Sequence, residues 1–585
     1  MSTTPPPARP QALGLFFEAI WQHKGLFAEA LLGTVVLNLI GLATSLYSMQ
    51  VYDRVIPNAG LSTLWVLTVG VLVAMLLELV LKHVRSSMVD KACKAIDLGL
   101  SERFFGHALA IRMDKRPATI GTFAAQIRLF ESVRQFLTST TLFVLADIPF
   151  ALVFIAVIGL IAGPVALVPL LLVPLSLLTG LVFIRPIARL TQANVVESTL
   201  KNGLLIESVD GIETIKSLQA ESAFASRWRA LTETMGEGEL KLKALSGLSG
   251  HMTALIQQLS YVGMIALGVT MIMKGELTMG GLIACSIISG RALGPIAQLS
   301  SILVQWQHTQ AALQGLDAML AMPADGVSPT GQLVRPQTCR HELRVDQLSF
   351  AYLPQHETLQ VNALQIKPGE RVALIGPIGS GKSTLLKVLS GLYQPSSGRA
   401  FLDGVDMAHL DPAFLRAQVR HLPQDARLFN GSLRENLILG LADPGDEAIL
   451  NAARATGLDT VIAQHPLGLG LPISEGGQGL SGGQRQLVTL TRLMLAPGGI
   501  VLLDEPTASL DGGFEDKAIA ALTQALQPDD VLLMVTHKTG LLKVVQRVIV
   551  MDKGRIVMDG PRDAMLARLM GPPAATNPGL PGRAA

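Results

Sequence analysis

Before residue 300 the chain carries six long apolar stretches, at 28–52, 61–81, 137–160, 163–184, 256–273 and 277–299. A lipid bilayer offers the backbone no water. A single segment that enters one must pair its own N–H and C=O groups, which it does as a helix. About 20 apolar residues cross the hydrocarbon core, and most of the stretches are that long. Any one of them could be a buried soluble helix. Six together, in a chain with only 16% charged residues, exclude a soluble first half. They predict a membrane α-helical domain with six transmembrane helices.

The stretches come in pairs. Short links (53–60, 161–162 and 274–276) join the members of each pair, and long links (82–136 and 185–255) join the pairs. The long links carry the basic residues, among them Lys82, Arg85, Lys91, Arg103, Arg185, Arg189 and Lys216. The short ones offer only Arg54 and Lys274. Positive charge collects on the cytoplasmic side, so both termini and the second half are cytoplasmic. Helical patterning in the long links predicts membrane helices that run on into the cytoplasm, with turns near 118–125 and 211–218 placed to carry motion from the second half. Asp147, Pro149 and Glu78 interrupt the apolar segments. An ionisable group at such a depth faces a cavity or a partner, so Asp147 either lines a substrate path, caps a helix or pairs with a basic neighbour. Pro164, Pro169 and Pro174 predict a bent fourth helix.

The second half opens with a different signal. Gly376-Pro377-Ile378-Gly379-Ser380-Gly381-Lys382-Ser383 follows the apolar run 372–375 and precedes a helical run opened by Thr384. Strand, glycine-rich loop and helix is the context of a phosphate loop, the Walker A pattern. Its glycines let backbone N–H groups curl round phosphate oxygens, and the helix N-terminus adds partial positive charge. Lys382 reaches the outer phosphates and Ser383 holds Mg2+. The apolar run 500–503 ends in Asp504 and Glu505, placed to support Mg2+ and to polarise an attacking water. The run 531–535 ends at Thr536 and His537, and the histidine is placed to contact the terminal phosphate and that water. Gln424, after 419–422, offers an amide to Mg2+ and water. Tyr352 offers a ring to a nucleobase. Residues 343–352 alternate like a strand at a sheet edge. Leu480-Ser481-Gly482-Gly483-Gln484 opens another helix, a second phosphate-ready N-terminus. It makes sense beside the first if two such domains face each other.

Taken together, these residues resemble the ATP-binding cassette transporters, with Ser509-Leu510-Asp511 standing where that family has its D-loop. The resemblance implies ATP and Mg2+ as cofactors and head-to-tail pairing, each ATP lying between Walker A of one chain and residues 481–484 of another. Asp511 joins the nucleotide contacts on the same ground. One membrane domain ahead of one cassette implies a homodimer with the type I ABC exporter fold: six transmembrane helices fused to an α/β P-loop ATP-binding cassette domain. The expected organisation is a cytoplasmic tail (1–25, its first ten residues disordered), the membrane domain (26–320), a linker (321–340), the cassette (341–569) and a disordered tail (570–585).

A narrower resemblance lies in residues 47–57, 146–150 and 473–477, which are similar to stretches of type I secretion permease/ATPases. That group implies an unfolded polypeptide substrate, RTX-like or adhesin-like, moved across the inner membrane with a periplasmic membrane-fusion adaptor and an outer-membrane channel. Many members have a peptidase-like domain before the first helix. Residues 1–25 contain no Cys and only His23, so leader peptidase activity is not expected, and substrate tethering would need a separate protein. Thr491 stands where alanine is common, as a packing difference on a helix. The same engine also serves exporters of lipids, drugs or small peptides. A soluble ATPase or ATP-gated scaffold conflicts with the six apolar stretches. A net charge of +2 gives no case for nucleic acid. Cys93, Cys285 and Cys339 lack metal-ligand spacing.

Overall fold

The structure, a computed structural model, describes residues 11–117, 120–136, 139–326, 333–353 and 356–570. The chain divides into two compact units that part between Pro323 and Ala324.

The first unit is helical. It begins with α1 (Gln11–Gln22), α2 (Lys24–Gln50) and α3 (Leu61–Ala110), followed by α4 (Ile120–Phe136) and α5 (Ser139–Ala162). Then come α6 (Leu167–Asp210), the short α7 (Ile212–Ser217), α8 (Glu221–Met273) and α9 (Met279–Leu320). At 1.5 Å per residue the 50 residues of α3 and 53 of α8 reach roughly 75–80 Å. That is more than twice the hydrocarbon thickness. Both helices run from apolar sequence into basic sequence without a break, as expected. Among the described residues, five stretches are long and apolar enough to cross a membrane: Lys24–Val55, Leu61–Ala110, Leu142–Asp210, Glu221–Met273 and Met279–Leu320. The third holds α5 and α6, joined by a 3-10 turn at Gly163–Ala166.

Part of the expected N-terminal tail is a helix. Ala12 and Phe16, one turn apart on α1, are buried. Phe16 packs on Phe104 and Phe130, with ring centroids 6.1 and 6.2 Å away. Residues 1–10 and 571–585 lie outside the described residues, as do 118 and 119 of the first expected turn. The second expected turn is α7. α6 continues through Pro174 and Pro186, while Pro164 falls in the 3-10 turn before it.

Several half-buried charges in this unit find partners. Asn38 Nδ2 donates to Asp147 Oδ1 at 2.9 Å, and Arg85 lies 4.0 Å from the same oxygen. Arg85 also donates to Thr34 Oγ1 at 2.9 Å. Of the readings open for Asp147, pairing is the one these contacts carry. Glu78 pairs with Lys82 at 2.7 Å. The chain leaves α2 through a π-helical turn, Val51–Val55, that contains Asp53. The Asp53 carboxylate accepts from Gly280 N at 2.8 Å, an orphan donor at the start of α9, and from the hydroxyl of its N-cap, Thr278 Oγ1, at 2.7 Å.

The second unit begins where the linker docks. Val334 bridges to Leu410, and Asp325 pairs with Arg416. Two sheets follow. The strands β1 (Leu343–Phe350), β2 (Leu359–Ile366), β3 (Arg371–Ile375), β4 (Ser397–Leu402) and β5 (Val405–Asp406) are interrupted by helix α10 (Lys382–Leu389). An antiparallel sheet takes the order β2-β1-β4-β5. β1 was expected at an edge because it alternates. It lies inside instead, paired with β2 on one side and β4 on the other, because alternation marks one buried face and not an unpaired edge.

After α11 (Pro412–Gln418) and β6 (Val419–Leu422) the chain forms a helical layer. It contains the two-residue strand β7 (Gly431–Ser432), α12 (Leu433–Leu437), α13 (Asp446–Thr456) and α14 (Asp459–Gln464). β8 (Pro472–Ile473) pairs with β7, and α15 (Gly482–Leu495) completes the layer. The chain then returns as β9 (Ile500–Asp504), α16 (Gly512–Ala525), β10 (Val531–Val535), β11 (Arg547–Asp552), β12 (Arg555–Pro561) and α17 (Arg562–Met570).

The second sheet has the order β12-β11-β3-β10-β9-β6 and is parallel except at β12. β9 and β10 are buried at every position, as unbroken Val, Ile and Leu runs in a two-sided parallel sheet require. The order places β10 between β3 and β9. The loops after these three strands therefore share one edge of the sheet, the carboxyl edge, where open α/β folds bind ligands.

Candidate functional site

The loop after β3 is shaped by its glycines. Gly376, Gly379 and Gly381 stand at φ +150°, +78° and +92°. A Cβ on Gly376 would lie 2.1 Å from the Met551 carbonyl oxygen, so no side chain fits there. Lys382 opens α10 and is 7% exposed. Its Nζ donates to Gly376 O at 2.9 Å, Pro377 O at 2.8 Å and Ser380 Oγ at 3.3 Å, so it arches over the loop. Burial pulls its pKa down, against the opposing pull of Asp504 and Glu505. Ile378 is 98% exposed at the tip, leaving only its backbone to serve the loop.

Asp504 ends β9, is buried, and accepts a hydrogen bond from the Ser383 side chain. Desolvation raises its pKa, aided by Glu505, while the Ser383 bond, Lys387 and Lys382 hold it down. A buried carboxylate and a hydroxyl beside a glycine-rich loop fit a divalent cation on phosphate oxygens. Glu505 follows in the left-handed region at φ +49°. His537 Nε2, beyond the end of β10, lies 3.7 Å from Glu505 Oε1. The fold thus gathers the phosphate loop, Lys382, Ser383, Asp504, Glu505 and His537 from separate parts of the sequence.

The remaining expected residues are placed differently. The Tyr352 ring packs edge-on against Phe350 and Tyr393 at 5.1 and 5.7 Å, yet the residue stays about half exposed. Its hydroxyl meets Thr384 Oγ1 at 3.3 Å, which engages the hydroxyl of a buried Thr384. Gln424 is exposed and lines a cleft of about 280 Å³ with Arg485, Gln486 and Ser509. Asp511 accepts from Phe514 N at 3.2 Å, capping α16. Leu480, Ser481, Gly482, Gly483 and Gln484 start α15. The Ser481 hydroxyl accepts from Gln484 N at 3.2 Å while Gln484 Oε1 accepts from Ser481 N at 2.9 Å, a capping box. Ser481 and Gly482 remain exposed.

Two residues escaped the sequence reading. Gln486 bonds Glu505 O and Ser509 N. Lys538 Nζ donates to Thr507 O at 2.6 Å and Glu515 Oε2 at 2.9 Å. Both hold the turn after Glu505, and their only signal was adjacency to 480–484 and to His537. Thr491 is buried and meets Thr456 Oγ1 at 2.6 Å, so its hydroxyl is satisfied in the helix layer.

Family models match both halves: the ABC transporter transmembrane region over residues 27–295 and the ABC transporter model over 359–508. The cyclolysin secretion/processing ATP-binding protein CyaB of Bordetella pertussis is 31% identical over 556 residues, which cover 94% of this chain and 77% of that protein. The chain belongs to the type I secretion family of ATP-binding cassette transporters. The leukotoxin translocation ATP-binding protein LktB of Mannheimia haemolytica is 30% identical, with 94% of this transporter and 78% of that protein covered. The toxin RTX-I translocation ATP-binding protein of Actinobacillus pleuropneumoniae is 31% identical over 558 residues, again covering 94% and 78%. A solved bacterial Atm1-family ABC exporter with ATP bound matches with TM-score 0.84 at 22% identity, covering 93% of this chain and 96% of that one. That likeness establishes the exporter fold. The transporter is a multi-pass inner-membrane protein whose cytoplasmic cassette uses Mg-ATP and couples its hydrolysis to transport.

Proposed function

We propose that two copies of this chain form the permease and ATPase of a type I secretion system, exporting an RTX-like or adhesin-like polypeptide across the inner membrane. Similarity to toxin secretion and translocation proteins over 94% of the chain carries this reading. The adaptor and outer-membrane channel belong to the same reading. The membrane domain crosses six times, with Leu142–Asp210 crossing twice around the turn at Gly163–Ala166. The length of α5 and α6 on either side supports the double crossing.

Lys382 and the backbone of residues 376–384 hold the phosphates. Ser383 and Asp504 would hold Mg2+, with the Gln424 amide as a further ligand, and the ion would neutralise charge on the phosphate oxygens. Glu505 accepts the proton of the attacking water, and His537, 3.7 Å away, orients Glu505 and contacts the terminal phosphate. Tyr352 stacks on the base. Residues 480–484 and Asp511 of the partner subunit complete each site. The exposure of Ser481 and Gly482, at a helix N-terminus whose own capping is satisfied internally, supports their facing a second chain.

The reading is tested by stalling transport with Glu505→Gln in cells and identifying what crosslinks to the membrane unit. A polypeptide found there, together with the adaptor, supports it. Lipids or small molecules alone refute it.

A further inference from the structure

Gln486 lies four residues beyond Gly482, the exposed first residue of α15. Its side chain makes two different bonds. Nε2 donates to the Glu505 carbonyl oxygen at 3.0 Å, and Oε1 accepts from the Ser509 backbone N–H at 2.7 Å. One amide therefore spans the whole turn between the carboxylate at the end of β9 and the start of the segment that leads to Asp511.

That turn needs holding. Glu505 has a Cβ and stands at φ +49°, where L-residues are disfavoured. Such a conformation persists only when its surroundings over-determine it, and it recurs where side-chain aim matters. Here the Glu505 N–H donates to Val535 O at 3.0 Å, and the Glu505 carbonyl accepts from both Ala508 N at 3.2 Å and Gln486. The start of α15 presses on the same turn: a Cβ on Gly483 would lie 3.0 Å from Ser509 O. Only an amide side chain suits this place. Glutamate can accept from Ser509 but cannot donate to Glu505, and methionine, of similar length, does neither.

We propose that Gln486 is a positioning residue for ATP hydrolysis. It ties the left-handed backbone of Glu505, and the Ser509 amide, to the helix whose first residues meet the nucleotide held by the partner subunit. Seating of that nucleotide on residues 481–484 then sets the aim of this chain's own Glu505. The proposal rests on the composite-site reading above.

The test uses the full-length transporter with Gln486→Met and Gln486→Glu. Turnover at saturating Mg-ATP is expected to fall at least about tenfold in both. The half-saturating ATP concentration is expected to stay within about threefold and the unfolding temperature within about 3 °C. Without nucleotide, amide exchange should rise in a peptide covering 505–511 and stay unchanged over 376–384. In a Glu505→Gln background, ATP-driven crosslinking between the two copies should survive Gln486→Met. Turnover within twofold of the parent overturns the proposal. So does a loss explained by nucleotide affinity, by unfolding, or by failure of Gln486→Met to close where Glu505→Gln alone closes. If Glu505→Gln alone fails to close with ATP, the composite-site reading is what fails. The exchange measurement then still judges Gln486, and unchanged exchange over 505–511 overturns it.

Discussion

Gly483→Ala separates stability from turnover in a way that the packing of α15 dictates. Alanine is favoured over glycine inside a helix by about 0.8–1 kcal/mol, and by less in the first turn, where Gly483 lies. Against this, the new Cβ meets the Ser509 carbonyl oxygen at 3.0 Å and Leu510 Cδ2 at 3.8 Å. A 3.0 Å approach to a carbonyl requires the neighbour to yield by a few tenths of an ångström. Ser509 is exposed and can yield, so the two effects nearly cancel and global stability should stay within about 1 kcal/mol. The turn that yields is the one holding Glu505, so turnover should fall about tenfold or more, a barrier increase of about 1.4 kcal/mol. Gly482→Ala is the comparison: it lies in the same nucleotide-facing stretch, but its Cβ makes only ordinary contact with Ser509 at 3.7 Å. The assay is steady-state ATP hydrolysis by the purified transporter beside thermal unfolding and nucleotide-free amide exchange of the same samples. Both variants can lose turnover through the partner's nucleotide, so the separating result is exchange over 505–511, which should rise in Gly483→Ala and stay at the parent's level in Gly482→Ala. Equal exchange in the two variants would refute the reasoning, as would a stability loss of several kcal/mol.

Three further outcomes follow from the cassette. Arg420 and Asp530 form a buried pair at 2.6 Å, with side chains 9% and 8% exposed, at the start of β6 and β10. Arg420→Met leaves the carboxylate unpaired and should cost about 3–5 kcal/mol in denaturant unfolding, whereas Arg420→Met with Asp530→Leu should recover most of that loss. His421 is held neutral by burial and by Lys387, its pKa pushed down to about 4. The unfolded chain binds that proton from about pH 6.5 downward and the folded chain does not. Stability is therefore complete above about pH 6.5 and falls toward pH 4 by up to about 1.4 kcal/mol per unit. His421→Gln should flatten the slope of thermal unfolding against pH in that window. Glu505→Gln should slow hydrolysis at least about tenfold while ATP still binds, measured by nucleotide retention beside phosphate release; an unchanged rate would remove Glu505 from the role of base.

The phosphate loop was legible because its requirements are local. Glycines at left-handed φ, a strand before and a helix after can all be read within a few residues. Asp504 and His537 were legible as strand ends because apolar runs of four and five residues announce central parallel strands. The bracing of Glu505 was not legible. Gln486 and Lys538 act through backbone carbonyls and amides brought near by the strand order, and a glutamine or lysine on a helix or loop ordinarily faces solvent. The same limit hid Asp53, whose carboxylate caps a helix more than 200 positions later in the chain. It hid Arg85 as the neighbour of Asp147 too. The helix at Gln11–Gln22 was not legible because its apolar face is short, and Phe16 becomes core only through partners distant in sequence, Phe104 and Phe130 among them. β1 was misjudged as an edge strand because alternation reports one buried face and says nothing about how many neighbours a strand has.

The central claim is that hydrolysis at Glu505 drives a polypeptide out of the cell. It is tested most directly by comparing the culture-supernatant proteomes of the parent strain and one carrying Glu505→Gln, with the transporter produced equally in both. The account predicts that a large protein disappears from the supernatant and accumulates inside the cell. An unchanged set of secreted proteins would contradict it and would assign the same engine to a lipid or small-molecule cargo.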